Sequence, residues 1–367
     1  MRARSALRPR PEIIPPHVPA DRSLLAARLA AQGLSGPPAP SVVEATRRLL
    51  AVQAQDPRGA RLALRVRSTA ASAAEVDHAL STERSLIITW VNRGTLHLIA
   101  AEDEPLLHAL TTPQLRSASE RRLGQEGVSP AALERGVEGL VKALGEDGPM
   151  TRQQIRALFE RLRVPVAGQA LVHILFRATL DGWIVRGPLA GREHAFVLAV
   201  DWLGERPKID RARALAELAR RYLVGHAPAG ERDLAKWAQI SLRDARAGLR
   251  AIAGEIVERP DGMVDLRRGL PEPQPAALPP PRLLGPFDPI LLGWSSRAFV
   301  LDRVEGRTVV TSNGIIKPIA LVAGRGAGTW TMPGGRVRLE MWSEPSGRVA
   351  TALAREASAV ERYLATR

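Results

Sequence analysis

Several residue types are absent or rare in this sequence of 367 residues. It has no cysteine, which excludes a disulfide framework and a zinc site built on thiolates. No apolar run is long enough to cross a bilayer, and the N-terminus lacks the apolar segment of a signal peptide. These absences lead us to expect a cytoplasmic protein without a membrane partner.

Lysine is also scarce, yet the chain is strongly basic. Lys+Arg is 52 against Asp+Glu 38, a formal net charge of +14, and only four of the 52 are lysines. A GC-rich genome explains abundant arginine but does not by itself give such an excess over the acids. The charge therefore favours a polyanionic partner, and nucleic acid first, which implies an association with the nucleoid.

The helical and alternating patterns predict a mainly α protein with small β elements, of the α+β class. Three helices and a hairpin with a glycine-containing loop, the plan of a winged helix, occur in 126–208 and again in 209–270. Residues 22–125 are a third, diverged copy in this interpretation. The remaining predicted parts are a disordered basic arm (1–21), a proline-rich connection (271–282), an antiparallel β module (283–345) and a C-terminal helix (346–367).

The third helix of a winged helix can enter the major groove of DNA. In the second unit this helix offers only His173 and Arg177 among apolar residues, which favours packing against a neighbouring domain. In the third unit Arg243, Arg246 and Arg250 form one helical stripe. The stripe is either a solvated face or a set of phosphate contacts.

Two glutamines, Gln53 and Gln55, flank one alanine in LLAVQAQDPRGA (49–60). Asp56-Pro57 follows directly and is expected to close a helix or open a turn. The spacing places both amides on one side of a turn-like or extended segment. They either converge on a bound water or cap the carbonyls at the end of the helix.

With these features together, the chain resembles the winged-helix DNA glycosylases of the AlkZ/YcaQ type. The matching stretches are LLAVQAQDPRGA (49–60), WVNRGTLHLIAAED (90–103), LLGPFDPILLGWSSR (283–297) and NGIIKPIALVAGRGAGTW (313–330). No single stretch is specific, but the four occur in order within repeated winged helices. The resemblance covers about residues 24–343.

The resemblance implies three tandem winged-helix domains in a C shape, completed by the β module. It assigns Gln53 and Gln55 as the catalytic pair, in the double-glutamine version of the AlkZ branch. The implied activity is that of a monofunctional glycosylase, which hydrolyses the N-glycosidic bond of N7-alkylated purines, including bulky natural-product adducts or interstrand crosslinks. The implied partner is double-stranded DNA carrying such purines. We expect a monomer without cofactor, and no metal, because the seven histidines are scattered and none lies in a ligand pattern.

Other residues are assigned to the same site or to DNA. Arg93, Thr95 and His97 alternate in VNRGTLHL, so a strand would point all three to one face, bordering the site or forming a polar outer face. His97 could act as an acid or a base near neutral pH. AGRGAG (323–328) could be a hairpin tip that carries Arg325 into a minor groove, or a plain surface turn. The predicted DNA-binding residues are Arg58, Arg61, Arg243, Arg246, Arg250, Arg297, Lys317 and Arg325.

Three further expectations complete the sequence interpretation. Trp90, Trp294 and Trp330 are expected in the core. A crosslinked base cannot be fully extruded, so we expect a shallow, solvent-open site. The alternative of a different class is a non-enzymatic DNA-binding protein, either a transcriptional regulator or a damage sensor.

Overall fold

The computed structural model describes residues 22–191, 193–267 and 278–365. The predicted basic arm, 1–21, lies outside the described residues, as does most of the proline-rich connection. The helical content and the small antiparallel sheets confirm the α+β class. The three winged-helix domains, their boundaries and the C shape remain predictions.

Between residues 22 and 125, the described part of the N-terminal region contains six α-helices and a hairpin. Its elements are α1 (Arg22–Ala31), α2 (Val42–Leu49), β1 (Val52–Gln53), α3 (Pro57–Arg65), α4 (Ala74–Ser81), β2 (Leu86–Val91), β3 (Thr95–Ala100), α5 (Glu104–Thr111) and α6 (Arg116–Gln125). Helix α3 was not predicted. Asp56-Pro57 starts this helix instead of closing the preceding one, because Asp56 accepts the N–H of Gly59 at 2.8 Å and proline fits the first helical position.

The two following regions match the predicted order of helices and hairpins. The second has α7 (Pro130–Asp147), α8 (Arg152–Arg161), α9 (Ala170–Leu180), β4 (Ile184–Ala190), β5 (Glu193–Leu198) and the short α10 (Ala199–Leu203). The third has α11 (Arg211–His226), α12 (Glu231–Ala238), α13 (Leu242–Ala251), β6 (Ile256–Glu258) and β7 (Val264–Leu266). Threonine followed three residues later by glutamine, as at Thr151 and Gln154, predicts a capping box, and the box is present at the start of α8.

The C-terminal module has fewer strands than its alternating pattern predicts. It contains β8 (Arg282–Leu284), α14 (Arg303–Val309), β9 (Ile319–Val322), β10 (Arg325–Thr331), β11 (Arg338–Met341) and α15 (Gly347–Ala365). The alternating pattern in AFVLDRV (298–304) and RTVVTSN (307–313) predicts strands, and that prediction is wrong over α14. Asp302 and Glu305 form a capping box there, so the local start signal of a helix prevails over the alternation.

Within the described ranges, these strands form three antiparallel sheets. The largest has the strand order β1-β3-β2-β4-β5 and therefore joins the hairpins of the first two regions. Helix α9 packs against β2 of this sheet, where Phe176 meets Trp90 edge to face at 5.7 Å. This confirms the expected packing role of α9. The other sheets are β11-β10-β9-β8 and β6-β7.

Two contacts fix the segment 285–297 against the N-terminal region. A Cβ at Gly59 would lie 2.5 Å from the carbonyl oxygen of Pro286, so only glycine permits this approach of α3. Arg67 and Asp288 form a fully buried two-pronged ion pair, with Nη2–Oδ1 at 2.7 Å and Nη1–Oδ2 at 2.9 Å. The segment that carries Arg297 is thereby held at a defined place beside the first region.

Candidate active site and nucleic-acid interface

The short strand β1 brings the two glutamines to the edge of the largest sheet. Gln53 pairs with His97 of β3, and the N–H of Ala54 donates to the carbonyl of Leu96 at 2.7 Å. Gln53 is only 6 % exposed, whereas Gln55 is exposed. The segment is extended, and both amide groups lie on the same side because they bond to each other.

A relay of hydrogen bonds runs from Arg93 to the surface. Arg93 Nη2 donates to Gln53 Oε1 at 3.0 Å, and Gln53 Nε2 donates to Gln55 Oε1 at 2.7 Å. A guanidinium only donates, so it requires the carbonyl end of Gln53 to face it. That requirement fixes the orientation of both amides and leaves the NH2 group of Gln55 at the exposed end.

Arg93 lies in the turn between β2 and β3, not in the strand where it was expected. Its Nη1 donates to the carbonyl of Trp237 at 2.8 Å, which places it against the last turn of α12. Burial and the nearby charge of Arg297 lower its pKa to about 10, so it remains cationic at neutral pH. Arg93 therefore connects the glutamine pair to the third region.

His97 is buried beneath the relay and is 1 % exposed. Its Nδ1 lies 2.9 Å from the carbonyl of Thr95, so Nδ1 carries the proton and Nε2 accepts from Arg93 at 3.4 Å. Burial, with Arg93 adding to it, lowers the pKa of His97 to about 3. The expected acid-base role near neutral pH is therefore wrong for this environment, since the imidazole stays neutral there.

Thr95 precedes His97 by two residues on β3 and is half-buried. Its Oγ1 atom is inaccessible and forms no hydrogen bond within the described part of the chain. A buried hydroxyl without a partner is unfavourable. The structure thus gathers Gln53, Gln55, Arg93, Thr95 and His97 around the end of β1.

Two further cations lie near Arg93. Arg297 was predicted from the sequence, and its Nε donates to the carbonyl of Leu291 at 2.6 Å. Lys236 on α12 was not predicted, and its Nζ donates to the carbonyl of Ser295 at 3.0 Å. Burial and then the charge of Arg297 lower the pKa of Lys236. No local pattern marks Lys236, because only the packing of α12 brings it here.

Arg58 and Arg61 lie on α3, directly after the glutamines, with different outcomes. Arg58 is exposed and remains a candidate phosphate contact. Arg61 is buried, and its Nε donates to Asp77 Oδ1 at 2.9 Å and its Nη1 to the carbonyl of Pro57 at 2.8 Å. The assignment of Arg61 to DNA binding was wrong, because this guanidinium is hydrogen-bonded to Asp77 and to the carbonyl of Pro57 inside the protein.

The predicted arginine stripe on α13 faces solvent. Arg243, Arg246 and Arg250 are all exposed. Arg246 makes a two-pronged ion pair with Glu231 at 2.7 and 2.8 Å, so part of the stripe is neutralised. Arg243 and Arg250 are the stronger candidates of the three for phosphate contact.

In the C-terminal module, Lys317 is exposed but Arg325 is not a free tip residue. Arg325 begins β10, is half-buried, and donates from Nη1 to the carbonyl of Phe299 at 3.4 Å. A Cβ at Gly324 would lie 2.6 Å from Cδ1 of Leu29, so the hairpin tip packs on α1. The predicted insertion of this tip into a minor groove was therefore wrong.

The remaining expectations concern aromatic residues, membranes and metals. Trp90, Trp294 and Trp330 are 9, 2 and 4 % exposed, which confirms them as core residues. Over the described ranges, no helix combines the length and apolarity that a bilayer span requires. The same ranges hold no group of three or more side chains arranged to ligate a metal ion.

Comparison with known proteins identifies the family of this chain. Residues 46–363 match the family model of DNA glycosylase AlkZ-like proteins. An interstrand DNA cross-link repair glycosylase of Streptomyces sahachiroi is 28% identical over 332 residues, which cover 84% of this chain and 87% of that protein. The solved structure of Streptomyces sahachiroi DNA glycosylase AlkZ superposes with a TM-score of 0.74 at 24% identity, covering 93% of this chain and 96% of that one. This chain belongs to the AlkZ-like DNA glycosylase family.

Proposed function

We propose that the protein is a monofunctional DNA glycosylase that hydrolyses the N-glycosidic bond of N7-alkylated purines, including bulky natural-product adducts or interstrand crosslinks. The observation that carries the proposal is the relay from Arg93 through Gln53 to the exposed Gln55. Its membership of the AlkZ-like family supports the glycosylase reaction. The name of the Streptomyces relative, a cross-link repair glycosylase, supports the choice of substrate.

A pair of amides suits a leaving group that needs little help. A glutamine cannot remove or supply a proton near neutral pH, so it is a poor catalyst for an ordinary purine, which leaves as an anion. A guanine alkylated at N7 is already cationic and leaves as a neutral base. The enzyme then needs mainly to hold a water and to stabilise positive charge on the sugar. Positioning of this kind contributes roughly 10²–10⁴-fold.

The relay assigns different tasks to the two glutamines. Gln55 is exposed and therefore able to touch DNA, and its Oε1 keeps one lone pair for the nucleophilic water. Its NH2 group is free to donate to an acceptor on the substrate. Gln53 is buried between Arg93 and Gln55 and fixes the orientation of Gln55. Gln55 is thus the group that contacts water, and Gln53 holds it in place.

The surroundings of Gln55 suit a substrate that cannot be drawn into a deep pocket. A base tied to the opposite strand by a crosslink is accessible only to side chains at the protein surface. Gln55 and Arg58 are both exposed beside the start of α3. An exposed catalytic amide flanked by a cation therefore supports the processing of crosslinks as well as of monoadducts.

The reaction is tested with a duplex that contains one N7-methylguanine. Release of the base leaves an abasic site, which alkali converts into a strand break. We expect breaks with the wild type, and a loss of about 10²-fold or more in the Gln53→Ala/Gln55→Ala double variant, the low end of the positioning effect. Gln153→Ala, at an exposed glutamine of α8, is the matched control and should retain the wild-type rate.

A non-enzymatic regulator or damage sensor is the second candidate, favoured only by the exposed arginines of α13. It would prefer one sequence among undamaged fragments, whereas a glycosylase would bind all of them in a salt-dependent manner. Gel shifts on a set of genomic fragments separate the two. A single preferred site together with no base release would replace the glycosylase proposal.

A further inference from the structure

Three cations from three separate parts of the chain meet beside the glutamine pair. We call Arg93, Lys236 and Arg297 the cation cluster. Arg93 lies in the β2–β3 turn, Lys236 on α12, and Arg297 after the 3₁₀ turn at Pro289–Leu291. The hydrogen bonds of Arg93 to the carbonyl of Trp237 and of Lys236 to the carbonyl of Ser295 bring the three side chains together.

Carbonyl oxygens, not carboxylates, hold the cluster in place. Arg93 donates to Trp237, Lys236 to Ser295 and Arg297 to Leu291, at 2.8, 3.0 and 2.6 Å. These bonds link the three elements in sequence, since Trp237 adjoins Lys236 and Ser295 lies two residues before Arg297. The side chains are therefore fixed by the backbone while their positive charges remain.

The charge of the cluster is not balanced within the described residues. None of its members forms an ion pair with a carboxylate there, in contrast to Arg61, Arg67 and Arg246. Asp233 is the acid whose field reaches Lys236, but its Oδ1 accepts from the N–H of Ser295 at 2.8 Å and its Oδ2 from the N–H of Gly230 at 3.0 Å. Keeping partly buried cations without counter-ions is unfavourable unless an anion fills the site when the protein works.

The free donors of the cluster match one particular anion. The described residues supply a partner only for Nε of Arg297, so its two terminal nitrogens present a planar fork. Lys236 uses one of three donors. A fork beside an ammonium group is suited to the two non-bridging oxygens of a phosphodiester.

Catalysis itself also requires an anion at this place. Gln53 bonds directly to Arg93, so the sugar that becomes cationic in the transition state would lie close to an uncompensated positive field. That field would oppose the reaction proposed above. A backbone phosphate held by the cluster would cancel it and would hold the damaged nucleotide in register with Gln55.

We propose that Arg93, Lys236 and Arg297 form a binding site for a single DNA phosphate, the one next to the nucleotide that is cleaved. This inference rests on the proposed glycosylase function for the position of the phosphate, but phosphate binding by the cluster can be measured without any cleavage. Lys236 and Arg297 act as positioning residues that contact the backbone of DNA.

The test uses duplexes that carry a tetrahydrofuran abasic analogue and one uncharged methylphosphonate, moved stepwise along both strands. We expect wild-type affinity to fall about tenfold at one position near the analogue, on the scale of one charge-assisted hydrogen bond. Lys236→Gln and Arg297→Gln should bind the all-phosphate duplex about tenfold more weakly than the wild type. A methylphosphonate at the sensitive position should not lower the affinity of these variants any further. Their binding should also depend less on salt: the slope of the logarithm of the binding constant against the logarithm of the salt concentration should be smaller in magnitude by about one.

Two controls keep the test independent of folding and general charge. Lys142→Gln removes a charge from an exposed lysine of α7 and should retain the wild-type pattern. Arg297→Lys keeps the charge without the fork, and should restore part of the affinity lost in Arg297→Gln. Equal melting temperatures of the variants exclude misfolding as the cause.

Three outcomes would overturn the phosphate site. They are no methylphosphonate position that weakens binding by the wild type, variants that keep the full wild-type loss of affinity at the sensitive position, or borohydride trapping of an abasic aldehyde on Lys236. The last would make this lysine a nucleophile. If one methylphosphonate position weakens binding by the wild type but not by the variants, while N7-methylguanine is never released, the phosphate site stands and the glycosylase proposal fails.

Discussion

Replacing Arg93 is the most informative single change, because Arg93 donates to Gln53, which in turn donates to Gln55, the group assigned to the water. Arg93→Met keeps much of the side-chain volume but removes the donors to Gln53 Oε1 and to the carbonyl of Trp237. Without the guanidinium, the amide of Gln53 can rotate by half a turn and present either end to Gln55. The relay would then lose its fixed direction.

The size of the effect follows from the bond that is lost. A hydrogen bond from a charged donor contributes about 1.5–3 kcal/mol. If the whole free energy of this hydrogen bond serves to orient Gln53, its loss lowers the rate of base release by roughly 10- to 150-fold. Arg93→Lys keeps the charge but lacks the planar fork that spans Gln53 and Trp237, so it should recover only part of the rate.

The assay is single-turnover release of N7-methylguanine with enzyme in excess, together with the affinity for undamaged duplex and the melting temperature. Added methylguanidinium should raise the rate of Arg93→Met but leave the wild type unchanged. A rate for Arg93→Met within about twofold of the wild type, in a folded protein, would refute the orienting role, since a rate change that small corresponds to well under 1 kcal/mol.

Three other changes have expected outcomes. The rate of release should be level from about pH 5 to 9, because the pKa of His97 is about 3 and that of Arg93 about 10, and a bell-shaped profile near neutrality would contradict this. Stability should fall as the pH drops below 6.5, since His97 and His226 stay neutral in the fold down to a pKa of about 3 but are protonated when unfolded. Denaturant titration should show a loss of about 1.4 kcal/mol per pH unit for each histidine, and no loss between pH 6.5 and 5 would refute it. Arg67→Met should lower the free energy of unfolding by about 3–5 kcal/mol, because Asp288 would remain buried without a partner, whereas a stabilised variant would show that the pair is dispensable.

The sequence predicts the elements that carry strong local signals. The amphipathic patterns, the Thr151 capping box and the glycine-containing hairpins of the second and third regions all appear in the structure. The family resemblance assigned the glutamine pair and the RGTLH strand to one site, although 44 residues separate Gln53 from His97, its partner on β3. Short-range patterns alone predicted the elements but not this pairing.

The sequence predictions were wrong or incomplete in two situations. Either one local pattern fitted two structures, or a contact between residues distant in sequence determined where a side chain lies. Asp56-Pro57 fits both the end of one helix and the start of the next, and only the bond to Gly59 selects the start. The hairpin that carries Arg325 looks exposed until α1 packs on Gly324. Lys236 enters the site because Arg93 bonds to the carbonyl of Trp237, a contact between regions that no spacing encodes.

Two uncharged amides suffice for catalysis only if the damaged base departs without protonation. The direct measurement compares base release from duplexes that contain N7-methylguanine or 7-methyl-7-deazaguanine, which has the same shape but no positive charge. We expect release of the charged base and none detectable of the neutral one, although both duplexes bind equally well. Comparable rates for the two would show that the enzyme activates the leaving group itself, and would contradict the role assigned to Gln53 and Gln55.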